Sequence, residues 1–308
     1  MKRRACDMDQ SELRVKAELG DRQAQYHLGK LIQDAAYAND AIYETSLKEA
    51  FKLYRMSALQ SFAPAQLELG RMYILGEGVK GDKDKGIEWL KKAAAQGSTE
   101  SEFEIADAIE LEDVEQSRSE EIFECYKRAA EHGHVDAQHK LGECYELGRG
   151  IPVNDAEAFC WYLRAAELGS WDGMFDVGRC YVTGIGTSKN PDEALRWLLH
   201  FADPRITKAI WFMYRAQIWI SKIFLDAEHC RVDDVEAYKW LNLAATYLPQ
   251  GEELFGMMSS EEERGYRDTL AGRMTNEQLR EGQRRSAEMF IPKKEIQRRI
   301  DENRAASA

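Results

Sequence analysis

Apolar and small residues recur along this chain with two nested periods. Within a segment they fall four, one and three residues apart, as Ala137, Leu141, Gly142 and Tyr145 do, a spacing that lays them on one face of an α-helix. Over a longer distance every thirty-sixth residue returns to a similar type: Trp89, Cys125, Trp161 and Trp197; Tyr73, Ile109, Tyr145 and Tyr181; Ala94, Ala130, Ala166 and Ala202. A period of this size marks stacked two-helix units, each of which buries its apolar face only against its neighbours.

The fullest unit runs from His134 to Gly169 and reads as helix A, a short loop, helix B and a turn. Glycine inside a helix costs roughly 1 kcal/mol against alanine, so its recurrence at Gly29, Gly70, Gly142 and Gly178 implies close approach of the facing helix. The loop Gly148-Arg149-Gly150 returns as Gly76-Glu77-Gly78 and Gly184-Ile185-Gly186, placed to end helix A in the left-handed backbone conformation. Helix B begins near Asp155 or Asp192, alternates bulk with alanine through Trp161 to Ala166, and stops before Gly169, as its counterparts stop before Gly97 and Gly133.

With its Leu-Gly-x-x-Tyr core (Leu141, Gly142, Tyr145), Gly-x-Gly loop and Ala-Ala-x-x-Gly exit (Ala165, Ala166, Gly169) on this period, the chain resembles the Sel-one-like repeat family, relatives of the tetratricopeptide repeats. A tetratricopeptide array, with a 34-residue period and no Gly-x-Gly loop, fits less well. The resemblance implies an all-α, right-handed α/α superhelical solenoid of about six two-helix repeats with helical N- and C-terminal caps. The expected organisation is an N-terminal capping helix in 1–20, repeats at about 21–62, 63–97, 98–133, 134–169, 170–202 and 203–245, and a C-terminal helical cap with a basic tail in 246–308.

Three departures from the pattern stand out. The Leu28-Gly29 and Leu69-Gly70 pairs are 41 apart, which puts about five extra residues near Tyr37 to Thr45. Trp197 and Trp240 are 43 apart; alignment back from Trp240 sets Ala216 at the Ala137 position and Ser221 at the glycine position, with seven residues inserted near Asp203 to Ala209. The third unit has Leu111-Glu112-Asp113-Val114 where the loop glycines belong. Thr275 to Gln278 has capping-box spacing, and Pro292 separates that helix from a final Arg-rich segment.

Composition narrows the function classes. With 308 residues, 44% hydrophobic and 31% charged, there is material for a core beneath well-solvated faces. Apolar stretches fall well short of the ~18 residues that span a bilayer, and Met1 to Asp7 lacks the hydrophobic region of a signal peptide, so a cytoplasmic location is expected. The net charge of −12 argues against nucleic acid as a partner, because phosphate neutralisation needs clustered cations. Charge is uneven: Glu100 to Glu124 holds eleven Asp or Glu and one cation, Arg118, whereas Arg264 to Arg304 has eleven Lys or Arg and seven acids.

Candidate chemistry is sparse. His132, His134 and His139 cluster, but no cysteine pair accompanies them at zinc spacing, and they read as solvated histidines of an inter-helix turn; no metal is expected. Cys125, Cys144, Cys160 and Cys180 lie within repeats and read as structural thiols. A secreted, disulfide-rich branch of the family places cysteines where this chain has Ala130 with Ala137 and Ala166 with Gly173, so its disulfide ladder is not expected. No phosphate loop, nucleophile elbow or nucleotide fingerprint is present; neither enzymatic activity nor a cofactor is expected.

What remains is binding. The resemblance implies that helix A lines a concave face, exposing positions beside the Leu-Gly pair: His27, Glu68, Glu104, Lys140 and Asp176, with Lys30, Arg71, Asp107, Glu143 and Arg179 just beyond. The acidic third unit would suit a basic partner drawn in electrostatically, or it is simply a solvated face. Trp211 to Tyr214, Trp219, Ile220 and Phe224 offer aromatic anchors, or the packing surface against the C-terminal cap. The expected function is a non-enzymatic scaffold or adaptor for a protein or peptide; the alternative is a bacterial immunity protein that occludes a cognate toxin.

Overall fold

The computed structural model describes residues 10–39, 42–110, 118–203, 210–226, 232–247 and 260–290, with position 298. The chain divides into two compact units, Met1–Val153 and Asn154–Ala308. In the first, α1 (Gln10–Glu18), α2 (Arg22–Tyr37), α3 (Tyr43–Leu59), α4 (Ala63–Leu75), α5 (Lys83–Ala94), α6 (Thr99–Glu110), α7 (Ser119–Glu131) and α8 (Val135–Leu147) pack each on the next. Helices α2, α4, α6 and α8 are the A helices; α3, α5 and α7 are the B helices. Helix α1 buries Leu13 and Ala17 in the same core as Leu28 and Tyr54, so it caps the stack as the sequence implies.

Contact distances show why the periodic glycines recur. A Cβ on Gly70 would lie 2.8 Å from the Leu90 side chain and 3.0 Å from the Gly86 carbonyl, so α4 and α5 touch where no larger residue fits. The loop glycines do two different jobs. Gly148 caps α8 in the left-handed conformation at φ 69°, and Gly150, two residues on, also has positive φ and sits so that a Cβ would be 2.2 Å from the Ser119 carbonyl oxygen. The second glycine therefore locks the loop after one helix A onto the first turn of the preceding helix B.

A buried amide reports the register independently. Gln25, Gln66 and Gln138 each donate from Nε2 to a carbonyl eight residues earlier, that of Ala17, Ala58 and Ala130. In the second unit Gln217 makes the same bond to Ala202, fifteen residues earlier. The longer span matches the seven-residue insertion inferred from Trp197 and Trp240, and places Gln217 at the Gln138 position.

The second unit contains α9 (Asp155–Glu167), α10 (Trp171–Thr183), α11 (Pro191–Ala202), α12 (Ile210–Leu225), α13 (Asp234–Tyr247), α14 (Ser260–Arg273) and α15 (Asn276–Met289). Its core gathers Phe175, Leu198, Phe201, Tyr214, Ile220 and Trp240. Of the aromatic run on α12, Met213, Tyr214 and Ile220 are buried there, while Phe212, Trp219 and Phe224 pack against it; core packing is what these side chains do. The Trp211 side chain is outside the described residues. Thr275 and Gln278 complete the capping box of α15, and α14 and α15 cover α13. The loop at 111–117, most of the insertion at 204–209 and the segment around Pro292 lie outside the described residues.

Candidate interaction surface

The A helices of the first unit carry their charges in register, and the charges find one another. Arg71 on α4 is the hub: its guanidinium meets Glu68 at 3.2 Å, Glu104 at 2.7 Å and Glu100 at 2.5 Å. Burial would lower its proton affinity, but Glu104, Glu68 and Glu100 outweigh burial and hold it above the ordinary arginine value. Glu68 is pushed up by burial, against the pull of Arg71 and Lys30. One repeat further on, Lys140 pairs with Glu143 at 2.9 Å and reaches Glu110 at 4.0 Å. Asp107 accepts from the Tyr126 hydroxyl at 2.8 Å. These side chains are half-buried rather than solvent-facing: Arg71 is 29% exposed and Glu68 17%.

The α6 part of the acidic stretch is likewise consumed within the fold, whereas Glu120 and Glu124 on α7 stand exposed. Glu100 accepts from His134 Nε2 at 2.9 Å as well as from Arg71. Glu102 takes His132 at 3.0 Å and Arg128 at 3.6 Å, and Glu110 takes Arg149 at 2.8 Å. The five acids of α6 thus bind cations or hydroxyls of neighbouring helices, and are not an open target for a basic partner; Glu112, Asp113 and Glu115 lie outside the described residues. His134 is no solvated turn histidine. Its Nδ1 accepts from the Ala137 amide as the N-cap of α8, so Nε2 carries the proton given to Glu100, and the ring stacks on Phe103 with centroids 4.5 Å apart. His139 is buried, and among the described residues no group of His, Cys, Asp or Glu could hold a metal ion.

In the second unit Asp176 and Arg179 pair at 2.8 Å on α10. On α12, Arg215, Trp219 and Lys222 stand at four- and three-residue steps on one face: the Arg215 guanidinium lies 4.4 Å over Phe175 and Lys222 4.1 Å over Trp219. Burial lowers the Arg215 proton affinity, and the Trp219 indole Nε1 is buried without a hydrogen-bond partner. The sequence reading missed Glu100, Glu110, His134 and Arg149, whose pairing depends on which helices lie side by side.

Burial sorts the thiols. Cys144 is buried and its thiol is pushed up to about 12, chiefly by burial and the nearby Glu110, whereas Cys160 is exposed. Tyr37 and Tyr43, which flank the five-residue insertion, both donate to Glu77, the central residue of a Gly-x-Gly loop.

Stacked helix pairs of one register, joined through glycine loops and faced by interlocking side chains, define an α-helical repeat protein. The Sel1 repeat family model matches residues 22–62, 63–98, 123–134, 135–170, 171–203 and 215–246. That is more than half of the chain, which belongs to this family. The third match is the shortest, where the loop glycines are missing. A crystal structure of a protective antigen from uropathogenic Escherichia coli, displaying an SLR fold, has a TM-score of 0.68 and 23% identity over 95% of this chain. The chain spans 58% of that antigen's length. A Sel1 repeat protein from Oxalobacter formigenes has a TM-score of 0.58 and 25% identity, covering 73% of this chain and 88% of that one. No curated protein matches. Sel1 repeats generally act as protein-interaction scaffolds without enzymatic activity. Among the described residues no helix is long and apolar enough to cross a membrane.

Proposed function

We propose that this chain is a non-enzymatic scaffold that holds a partner protein or peptide on the helix-A face of its first unit, through Glu68, Arg71, Glu104, Asp107, Lys140 and Glu143, with Asp176 and Arg179 on α10 of the second unit as a separate pair of the same kind. The observation behind it is the half-exposed ladder of ion pairs linking successive A helices. Pairs at this exposure contribute about 0–1 kcal/mol each, so a partner can exchange them for its own charges at small loss. Because each carboxylate already has a cation nearby, the matching partner carries both signs, not a purely basic surface. The acidic net charge of −12 is what supports the narrower immunity reading.

Affinity capture with the full chain, followed by mass spectrometry, supplies the partner. The test is the double variant Lys140→Glu with Glu143→Lys, which keeps the pair within α8 but inverts what a partner meets. Capture should fall about tenfold with helicity unchanged; undiminished capture would remove the helix-A face from the reading.

A further inference from the structure

The opposite layer of the first unit carries charge of a different kind. Lys52 and Arg55 on α3, Lys91 and Lys92 on α5, and Lys127 and Arg128 on α7 all stand at the surface, Lys127 half-exposed and the rest exposed. Arg55, Lys91 and Lys127 are 36 residues apart, so the repeat itself brings them into line. Among the described residues, only Arg128 of these six has a carboxylate within ion-pair distance, Glu102 at 3.6 Å. Lys92 instead lies 3.8 Å over the Trp89 ring and Lys127 6.0 Å over Phe123. Burial pushes the Cys125 thiol of α7 up, while the nearby Arg128 and, more weakly, Lys91 of α5 pull it down; the common 36-residue register sets the cations of the two B helices at the same position of the repeat.

A helix dipole favours a cation in the last turn, but that does not account for this row. In the second unit the position of Lys91 and Lys127 is filled by Leu163 and Leu199, on helices of the same register. The row is also narrow. One to two turns towards the N-terminus of these helices stand Glu49, Asp84, Glu88, Glu120, Glu121 and Glu124, which would repel a broad anionic surface such as a bilayer or a nucleic-acid duplex.

We infer that the B-helix row of the first unit is a docking surface for an acidic, extended segment of a partner protein, separate from the helix-A face. Helices α3, α5 and α7 are joined chiefly through the A helices between them, so their cations stand at least a helix diameter, roughly 10 Å, apart; an extended chain advances about 3.3 Å per residue, so the fitting segment spaces its acids by three positions or more. Its length across three helices is at least about seven residues.

The experiment uses the full chain and a fluorescein-labelled nine-residue synthetic peptide with glutamate at every third position, read by fluorescence anisotropy at low salt. The wild type should bind it, more tightly than an isomeric peptide with the three glutamates contiguous. Lys91→Glu with Lys127→Glu should weaken binding by about tenfold or more, while Arg196→Glu, an exposed reversal on a B helix of the second unit, leaves it unchanged; circular dichroism checks that all remain folded. No binding by the wild type, equal binding by the Lys91/Lys127 variant, or equal binding of the contiguous peptide would overturn the inference. Preferential binding of phosphatidylserine–phosphatidylcholine vesicles, lost in the same variant, would overturn it in favour of a membrane surface. None of these outcomes bears on the Lys140/Glu143 test.

Discussion

The two faces of the first unit use the same residue types for opposite ends. On the helix-A face Arg71 faces three carboxylates and Lys140 two, half-buried and mutually satisfied. On the helix-B face Lys52, Arg55, Lys91 and Lys92 stand in water and Lys127 partly so, with Lys92 and Lys127 over aromatic rings. Charge that is paired within the fold fixes helix against helix and offers a partner only an exchange. Unpaired charge contributes little to the fold and is available. A count of charges along the chain inverts this picture: the acids of α6 look open and are engaged, while the B-helix cations of a −12 chain look incidental and are accessible.

That contrast can be broken or sharpened by substitution. The largest effect is expected where the two layers are tied together: Gly150→Val adds a Cβ against the Ser119 carbonyl at positive φ, and should lower stability by about 3 kcal/mol or more in urea denaturation. Gly97→Ala, also at positive φ but with nothing within 4 Å, isolates the backbone term and should lose only about 1 kcal/mol. On the helix-A face, Arg71→Met leaves Glu68, Glu100 and Glu104 without their shared cation, and should lower stability by about 2 kcal/mol. Its counterpart on the other face, Lys91→Met, should stay within about 0.5 kcal/mol of wild type. Equal losses for Arg71→Met and Lys91→Met would erase the distinction between the faces.

Two smaller effects probe burial directly. A thiol reagent at neutral pH should label Cys160 in the native chain and spare Cys144 until urea unfolds it, because Cys144 is buried and its thiol is held at about 12; rapid native labelling of Cys144 would contradict the packing of α8. The smallest is a pH slope. Glu68 is held above the ordinary glutamate value of 4.5 in the folded chain, so just above that pH the native state binds a proton that the unfolded chain has released. The contribution of Glu68 to stability therefore falls as pH rises from about 4.5, and Glu68→Gln should remove that component from the profile in pH-dependent denaturation.

Much of the fold was legible because the repeat writes it many times over. Glycine where α4 meets α5, left-handed caps after α4, α8 and α10, and the seven-residue slip that the Gln217 bond registers all follow from alignments that need no coordinates. The site was legible only as positions. That Glu68, Arg71 and Glu104 stand beside the core positions of successive A helices followed from the repeat alignment, but not that they neutralise one another across α4 and α6. His134 shows the limit most clearly: beside His132 it resembled a solvated histidine, yet it caps α8, stacks on Phe103 and binds Glu100.

By itself the sequence determined which helix faces are apolar, where the glycine-capped helices end, that six repeats are present and where the period slips. These follow from local backbone preference and from apolar periodicity, and both act between near neighbours in the chain. Tertiary structure alone decided which charges are engaged and which are open. An ion pair between Arg71 and Glu104, or its absence at Lys91, depends on distances between separate helices, and the electrostatic energy turns on those few ångströms and on the water excluded from them.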